Sequence, residues 1–226
     1  MIDWLDIERC LDASGNARLP VLLSANDCHQ VASLYPREDC YRSRVVMARH
    51  GFGRGEYKYF SYPLPPMVDR LRHELYENLA PIANRWNQRL GIDTRFPDSL
   101  QAFLDRCHRA GQTRPTPLIL EYGAGDYNCL HQDLYGEHVF PLQVAVLLSE
   151  PGKDFSGGEF VMTEVSSSGQ RADVVPLRQG DAVVFAVNHR PVAGKRGIKR
   201  VAMRHGVSVV REGKRHTVGL IFHDAR

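Results

Sequence analysis

"HGVSVVREGKRHTVGLIFH", residues 205–223, holds two runs rich in β-formers on either side of a turn marked by Gly213. Valine and isoleucine pack well on a pleated surface, and glycine supplies the backbone freedom that a tight return needs. The stretch predicts a strand, a turn and a returning strand, which would carry Arg215 back toward His205. The same punctuation recurs upstream. "LILEY" (118–122), "FPLQVAVLLS" (140–149), "GEFVMTE" (158–164), "ADVVPL" (172–177) and "DAVVFAV" (181–187) are short β-rich runs bounded by Gly, Pro and Asp clusters. Their spacing leaves no room for crossover helices. The expectation over residues 116–226 is therefore an antiparallel barrel or jelly roll.

Residues 1–115 read as mainly helical. Asn26 or Asp27 is a candidate cap for a short helix that ends before Pro36. From Pro66 the apolar set Val68, Leu71, Leu75, Leu79, Ile82, Trp86 and Leu90 recurs every three or four residues, the period of one helix face. Pro81 kinks that helix or opens a second one, and Gly91 is its expected stop. Asp98 with Gln101 resembles a capping box for a helix to about Ala110. No internal repeat or low-complexity tract interrupts the chain, and "SSSGQ" (166–170) reads as a loop tip. The expectation is one domain over 1–226, mainly β with α: a helical layer (1–115) packed on a jelly roll.

At 226 residues the chain is long enough for one sizeable core. It has no run of 18 apolar residues, so no membrane span is expected. The opening "MIDWLDIERCLDASG" is acidic and amphipathic, without the basic and apolar regions of a secretory signal. Cys10, Cys28, Cys40, Cys107 and Cys129 are odd in number and never spaced C-x-x-C. That pattern favours a reducing compartment, the cytoplasm, and argues against a structural zinc site. The net charge is +3 but unevenly spread. Residues 190–215 carry nine Lys or Arg against Glu212, and residues 42–58 carry Arg42, Arg44, Arg49, Arg54 and Lys58 against Glu56. Segments 42–58 and 190–204 are either solvated loop charge or a footprint for an anionic partner, nucleic acid above all.

"CLHQDLYGEHVF" (129–140) contains His131-x-Asp133. With ten His and fifteen Asp in the chain, roughly 0.7 such pairs arise by chance, so the motif carries little alone. On a strand, a period of two places both side chains on one face, where they can converge on one ion. A third ligand must come from His189, His205, His216 or His223. His189 has Arg196 seven residues on. His205 has Arg215 ten residues on, across the predicted turn, and is the preferred candidate. Tyr122 lies nine residues before His131, beyond the turn "GAGD". His138, His216 and His223 read as polar or packed residues, and His29, His50, His73 and His108 as surface.

These landmarks resemble the iron(II)- and 2-oxoglutarate-dependent dioxygenase superfamily, in its prolyl-hydroxylase-like branch. The matching positions are Tyr122, Gly125, His131, Asp133, His205, Val207, Val210, Gly213 and Arg215. "SGGEF" (156–160) and "GDAVVF" (180–185) fall between the ligands where that family has a "GGE" turn and a "GD" turn. The resemblance covers about residues 116–224. "GFGRGEYKYFSYPLPP" (51–66) looks like a bacterial group of such oxygenases often labelled as acting on damaged nucleic acid. The resemblance implies a double-stranded β-helix with iron(II) on His131, Asp133 and His205, and 2-oxoglutarate and O2 as co-substrates. It further implies Arg215 on the far carboxylate of 2-oxoglutarate, with Thr217 and Tyr122 adding hydrogen bonds.

The chemistry is consistent with those roles. Two imidazoles and a carboxylate bind one face of iron(II) and leave three positions open. A guanidinium fork matches a carboxylate bidentately. The implied reaction releases succinate and CO2 and hydroxylates a C–H bond; on an N-methyl group the product collapses to formaldehyde and the demethylated base. The prime substrate stays open between an alkylated nucleic-acid base, a protein side chain and a small molecule. The repair demethylases place an Asn two residues before the pocket Tyr, where this chain has Leu120, and separate the distal His and co-substrate Arg by more than ten residues. Arg215 thus favours the hydroxylase-like branch. A cupin-like binding jelly roll is the non-catalytic alternative, and it needs neither Arg215 nor Tyr122 at these offsets. Oligomeric state is not legible.

Overall fold

The computed structural model describes residues 2–133, 136–166, 169–195 and 197–226. In chain order the elements are α1 (Trp4–Ser14), β1 (Asn16–Leu19), α2 (Ala25–Ala32), β2 (Tyr41–Val46), β3 (Gly53–Arg54), β4 (Glu56–Phe60), α3 (Pro66–Arg89) and α4 (Leu100–Arg109). Then come β5 (Leu118–Tyr122), β6 (Tyr127–His131), β7 (Leu142–Leu147), β8 (Phe155–Gly157), β9 (Phe160–Ser166) and β10 (Gly169–Val175). The chain ends with β11 (Ala182–Ala186), β12 (His189–Gly194), β13 (Gly197–Val207), β14 (Val210–Gly213) and β15 (Arg215–Leu220).

A seven-stranded major sheet runs β1-β11-β7-β15-β5-β4-β2, and a minor sheet runs β10-β9-β13-β6-β3 with β12 beside β13. Strands β14 and β8 form a separate ribbon between them in sequence. The fold is mostly β with some helix, the expected jelly roll. Every residue of β7 is buried, as a strand covered on both faces requires. One hydrophobic core joins Val68, Leu71, Leu75, Leu79, Ile82 and Trp86 of α3 to Val144, Val146 and Val184 of the major sheet.

The first 115 residues depart from the helical expectation. Strand β1 closes one edge of the major sheet, and β4 with β2 closes the other. "YRSRVV" and "EYKYF" carry the β-branched and aromatic residues that suit a pleated surface, but their interleaved charges resemble loop. Segment 190–204 is likewise the hairpin β12–β13 rather than a loop; Pro191 is tolerated because β12 is an edge strand. Arg196 lies outside the described residues, as do positions 167 and 168 of the "SSSGQ" tip, whose flanks pair Ser166 with Gly169. "HGVSVV" divides between β13 and β14 instead of forming one strand.

Helix boundaries also shift. The cap of α2 is Ser24, whose hydroxyl accepts from Asp27 N–H at 3.1 Å, so Asp27 completes the box from inside the helix. Ser99, not Asp98, caps α4 by accepting from Ala102 N–H at 3.3 Å. Helix α3 continues through Pro81. Pro81 and Glu77 are both exposed, so the Glu77 carbonyl that loses its helical donor turns toward water.

A buried polar lock fastens the C-terminal segment to α3. Arg72 donates to Asp224 at 2.8 Å, to the Ile221 carbonyl at 2.9 Å and to Tyr62 at 3.0 Å, and both Arg72 and Asp224 are fully buried. His108, expected at the surface and indeed largely exposed, reaches in to the second Asp224 oxygen at 2.8 Å. Removing one partner of a buried pair leaves an uncompensated charge. Asp224→Ala is therefore expected to cost about 3–5 kcal/mol in urea unfolding, whereas Arg70→Ala, from the exposed pair with Glu74, is expected to leave the midpoint unchanged.

Candidate metal centre

His131 is the last residue of β6, and its cross-strand partner on β13 is His205. Residues directly opposite on an antiparallel pair bring their side chains together. The two imidazole centroids lie 4.2 Å apart. Asp133 follows two residues beyond the end of β6, so strand alternation is not what directs it; the chain leaving the strand does. Its Oδ1 is 3.4 Å from His131 Nε2 and its Oδ2 is 3.5 Å from His205 Nε2. One ligand atom from each residue lies within 4.8 Å of the others. Ligands on one octahedral face, bonded at roughly 2.1 Å, sit about 3 Å apart. The three donors need to draw in only slightly to share an ion.

The two imidazoles differ in protonation. His131 Nδ1 lies 2.8 Å from the Cys129 carbonyl, which only accepts. Nδ1 therefore carries a proton, and Nε2 is the atom turned toward Asp133. Burial alone would depress the His131 pKa, but the hydrogen bond and charge of Asp133 outweigh it and raise the value. Burial drives His205 down to about 3, with His131 adding to the effect and Asp133 opposing it. His205 is thus a neutral, ligand-ready imidazole across the physiological range. Phe185 packs on it at 4.5 Å and Phe160 at 6.0 Å, excluding water from that side.

The other end of the same cavity is cationic. Arg215 begins β15, faces Tyr122 across β5 and is 2% exposed. Its Nη1 donates to Thr217 Oγ1 at 2.5 Å, and its Nε has no hydrogen-bond partner among the described residues. No acidic side chain among the described residues comes within ion-pair distance of it. Burial pushes the guanidinium down to about 10, with Tyr122 and Glu159 pulling it back; it stays charged at neutral pH. Burial raises the Tyr122 phenol, which keeps its proton.

One glycine makes room for this residue, and another for the turn before it. A Cβ on Gly158, whose φ is +64°, would lie 2.9 Å from Arg215 Cδ and 2.8 Å from Val210 Cγ2. One on Gly213, at φ +77°, would lie 2.0 Å from the Asp154 carbonyl oxygen.

A cavity of about 150 Å³ joins the two ends, with Tyr122, Arg215 and Thr217 on the major sheet and His131, Asp133 and His205 on the other side. The structure thus brings together all six residues singled out in the sequence. His189 stands apart on β12, opposite Ala202, and lines a different cleft with Arg200. His216 bonds Glu121 at 2.9 Å, and His223 accepts from Phe140 N–H in the core. Among the cavity residues that the sequence reading missed are Tyr57 and Tyr59 of β4, and Gln143 of β7. The available signal for Gln143 is that it is the lone polar residue inside "FPLQVAVLL".

Residues 55–225 match the family Oxygenase-NA, described as an oxygenase catalysing oxidative methylation of damaged DNA. The chain belongs to this oxygenase family. Two uncharacterised proteins, from two strains of Mycobacterium tuberculosis, are each 49% identical to this oxygenase over 167 residues, 74% of its chain and 72% of theirs. Among solved structures, a Pseudomonas putida prolyl-4-hydroxylase superposes with a TM-score of 0.59 at 14% identity, covering 99% of this chain and 100% of that one. A 2OG-Fe(II) oxygenase family oxidoreductase from Burkholderia pseudomallei gives 0.57 at 17% identity, covering 99% and 93%. At such identities the likeness establishes the fold, the jelly roll of 2-oxoglutarate/iron(II) oxygenases.

The donor set of this oxygenase fits a ferrous ion: two imidazoles and one carboxylate on one face. One iron(II) per chain is expected in anaerobic equilibrium binding. His205→Ala should lose that binding and His189→Ala should keep it; equal loss in both would point to another ligand set.

Proposed function

We propose that this oxygenase holds iron(II) with His131, Asp133 and His205, binds 2-oxoglutarate through Arg215, and hydroxylates a C–H bond on an alkylated nucleic-acid base. The observation that carries this reading is Arg215: a buried guanidinium, without a carboxylate partner among the described residues, in the same small cavity as the His–Asp–His cluster. A buried charge is stable only when paired, and a dicarboxylate reaching from the iron to Arg215 supplies the missing anion. Bound iron(II), 2-oxoglutarate and O2 would together supply the oxidising power, with release of succinate and CO2.

The chain's own groups do the rest. Arg215 offers a planar fork that fixes the far carboxylate in position and orientation. Thr217 accepts from Arg215 and retains its own hydroxyl proton for that carboxylate. The protonated Tyr122 phenol is a further donor. Phe160 and Phe185 keep the iron side dry. We assign these roles to one catalytic unit spanning residues 1–226. The five cysteines, all unpaired, suit the reducing cytoplasm, and no helix among the described residues is long and apolar enough to cross a membrane.

Two observations support nucleic acid as the prime substrate. One is the family's description. The other is which cations remain free. Arg44 pairs with Glu56, Lys58 with Glu38 at 2.6 Å and Arg190 with Glu164, while Arg42 bonds the Pro115 carbonyl at 2.7 Å. These are engaged within the fold and leave the footprint. Arg49 and Arg54 remain exposed in one segment, and Lys195, Lys199, Arg200 and Arg204 in the other. On an N-methylated base the product would break down to the free base and formaldehyde. The second reading, a hydroxylase of protein side chains, is favoured by the ten-residue His205–Arg215 interval and the fold shared with a prolyl-4-hydroxylase.

Formaldehyde release from an N-methylated single strand, stoichiometric with succinate, tests the reading; succinate formed only with a proline-containing peptide would select the alternative. Binding to a single-stranded oligonucleotide should weaken with salt at a log–log slope of about −0.7 per phosphate contacted. Lys199→Ala with Arg200→Ala should flatten that slope. Arg215→Ala should raise KM for 2-oxoglutarate, and Gly158→Ala should do so too by displacing the guanidinium; an unchanged KM in both would remove the anchor role.

A further inference from the structure

Beside the stretch between the metal cluster and Arg215, the cavity has a further part that the co-substrate roles leave unused. Register across the major sheet sets its inner face in rows, because alternate residues of each strand share a face. The row nearest Arg215 and Tyr122 contains Tyr57, Leu120, Thr217 and Leu147. The next row, farther from Arg215, runs Tyr59, Leu118, Gly219, Ala145 and Val183. Gly219 and Ala145 sit at its centre, so no bulky side chain rises from the sheet there. One step further along β7 comes Gln143, paired across β11 with Phe185, the ring that packs on His205.

Gln143 is 4% exposed and lines the cavity, and its amide nitrogen has no hydrogen-bond partner among the described residues. A buried amide without a partner is costly, and the same position in an all-buried strand would take Leu or Val without that cost. On the opposite side Tyr57 and Tyr59 stand edge to face at 5.4 Å, and Arg42 covers the Tyr59 ring at 4.4 Å, holding it in place. Phe52, 43% exposed, extends the aromatic wall to the mouth. The space is therefore floored by small residues, walled by aromatic rings and supplied with one dry donor close to the metal ligands.

We propose that this part is the prime-substrate subsite: a flat nucleobase lies over Gly219 and Ala145, and Gln143 donates its amide N–H to an acceptor on the edge of that base. The proposal rests on the reading of the site as an oxygenase acting on nucleic acid and names the residue that recognises the base. A nucleobase carries ring-nitrogen and carbonyl acceptors on its edge and a π-face for the tyrosines. A prolyl ring carries neither.

The test is anaerobic calorimetric binding of 1-methyladenosine to the full chain loaded with iron(II) and 2-oxoglutarate. The variants are Gln143→Leu, which keeps the volume and removes the donor, and Ala145→Leu, which fills the floor. Gln143→Leu should weaken the nucleoside about ten-fold, the loss of one buried hydrogen bond. Ala145→Leu should abolish its binding, and both variants should bind 2-oxoglutarate as the wild type does. Undiminished nucleoside affinity in Gln143→Leu would overturn the proposal. So would a parallel loss of 2-oxoglutarate affinity, which would assign Gln143 to the co-substrate end, or a wild type that binds a proline-containing peptide and ignores the nucleoside. Affinity for 2-oxoglutarate in the wild type tests the preceding reading separately: Gln143-dependent nucleoside binding without it would keep the subsite and remove the co-substrate assignment.

Discussion

The pairing of β13 with β6 in a register that sets His205 opposite His131 is the constraint on which the site depends. Side chains alternate across a strand, so a slip of one residue would turn His205 to the outer face and leave Asp133 with one imidazole. The register is held from both sides. Strand β9 pairs with β13 from Ala202 to Val207, and β12 pairs with its first half. Just past His205 the ladder to β6 becomes irregular before Val207. Irregularities of this kind redirect side chains next to functional sites, and here one adjoins the metal ligands.

The two sheets divide the site. The His–Asp–His cluster comes from the minor sheet and the loop leaving it, and the buried Arg215 comes from the major sheet. Neither sheet could build this cavity alone. The N-terminal half contributes to this geometry. Its strands close both edges of the major sheet, and α3 packs on the core through Leu75, Leu79 and Trp86. The Arg72–Asp224 lock fastens the segment after β15, the strand that starts with Arg215. Gly158 leaves the volume that the Arg215 side chain crosses. A change in any of these would disturb the His–Asp–His cluster or Arg215 without touching either.

Much of this was legible in the sequence, for identifiable reasons. "LILEY" is a strand at its stated limits, because a compact apolar run between turn formers has few alternatives. His131, Asp133, His205 and Arg215 were found because their order and spacing form a pattern longer than chance supplies. Several edge strands were missed. Residues 41–46 and 189–194 interleave charge, Pro191 and glycine with β-formers, and an edge tolerates what a central strand does not. The convergence of Asp133 was foreseen for the wrong reason, since it stands beyond the strand and not on it. Ser24 and Ser99 were passed over as caps in favour of nearby acids and an Asn, although all of these residue types serve there. Gln143 carried a signal, one polar residue in an apolar run, but only the cavity gives it a role.

The account stands most directly on whether iron and a 2-oxo acid meet at this cluster. Anaerobic addition of 2-oxoglutarate to the iron(II)-loaded protein, followed by visible absorption, measures that meeting. A weak charge-transfer band that saturates at one equivalent, disappears in Asp133→Ala, and in Arg215→Ala requires more 2-oxoglutarate is the predicted result. Iron that binds without ever producing the band, or a band that survives Asp133→Ala unchanged, would contradict it.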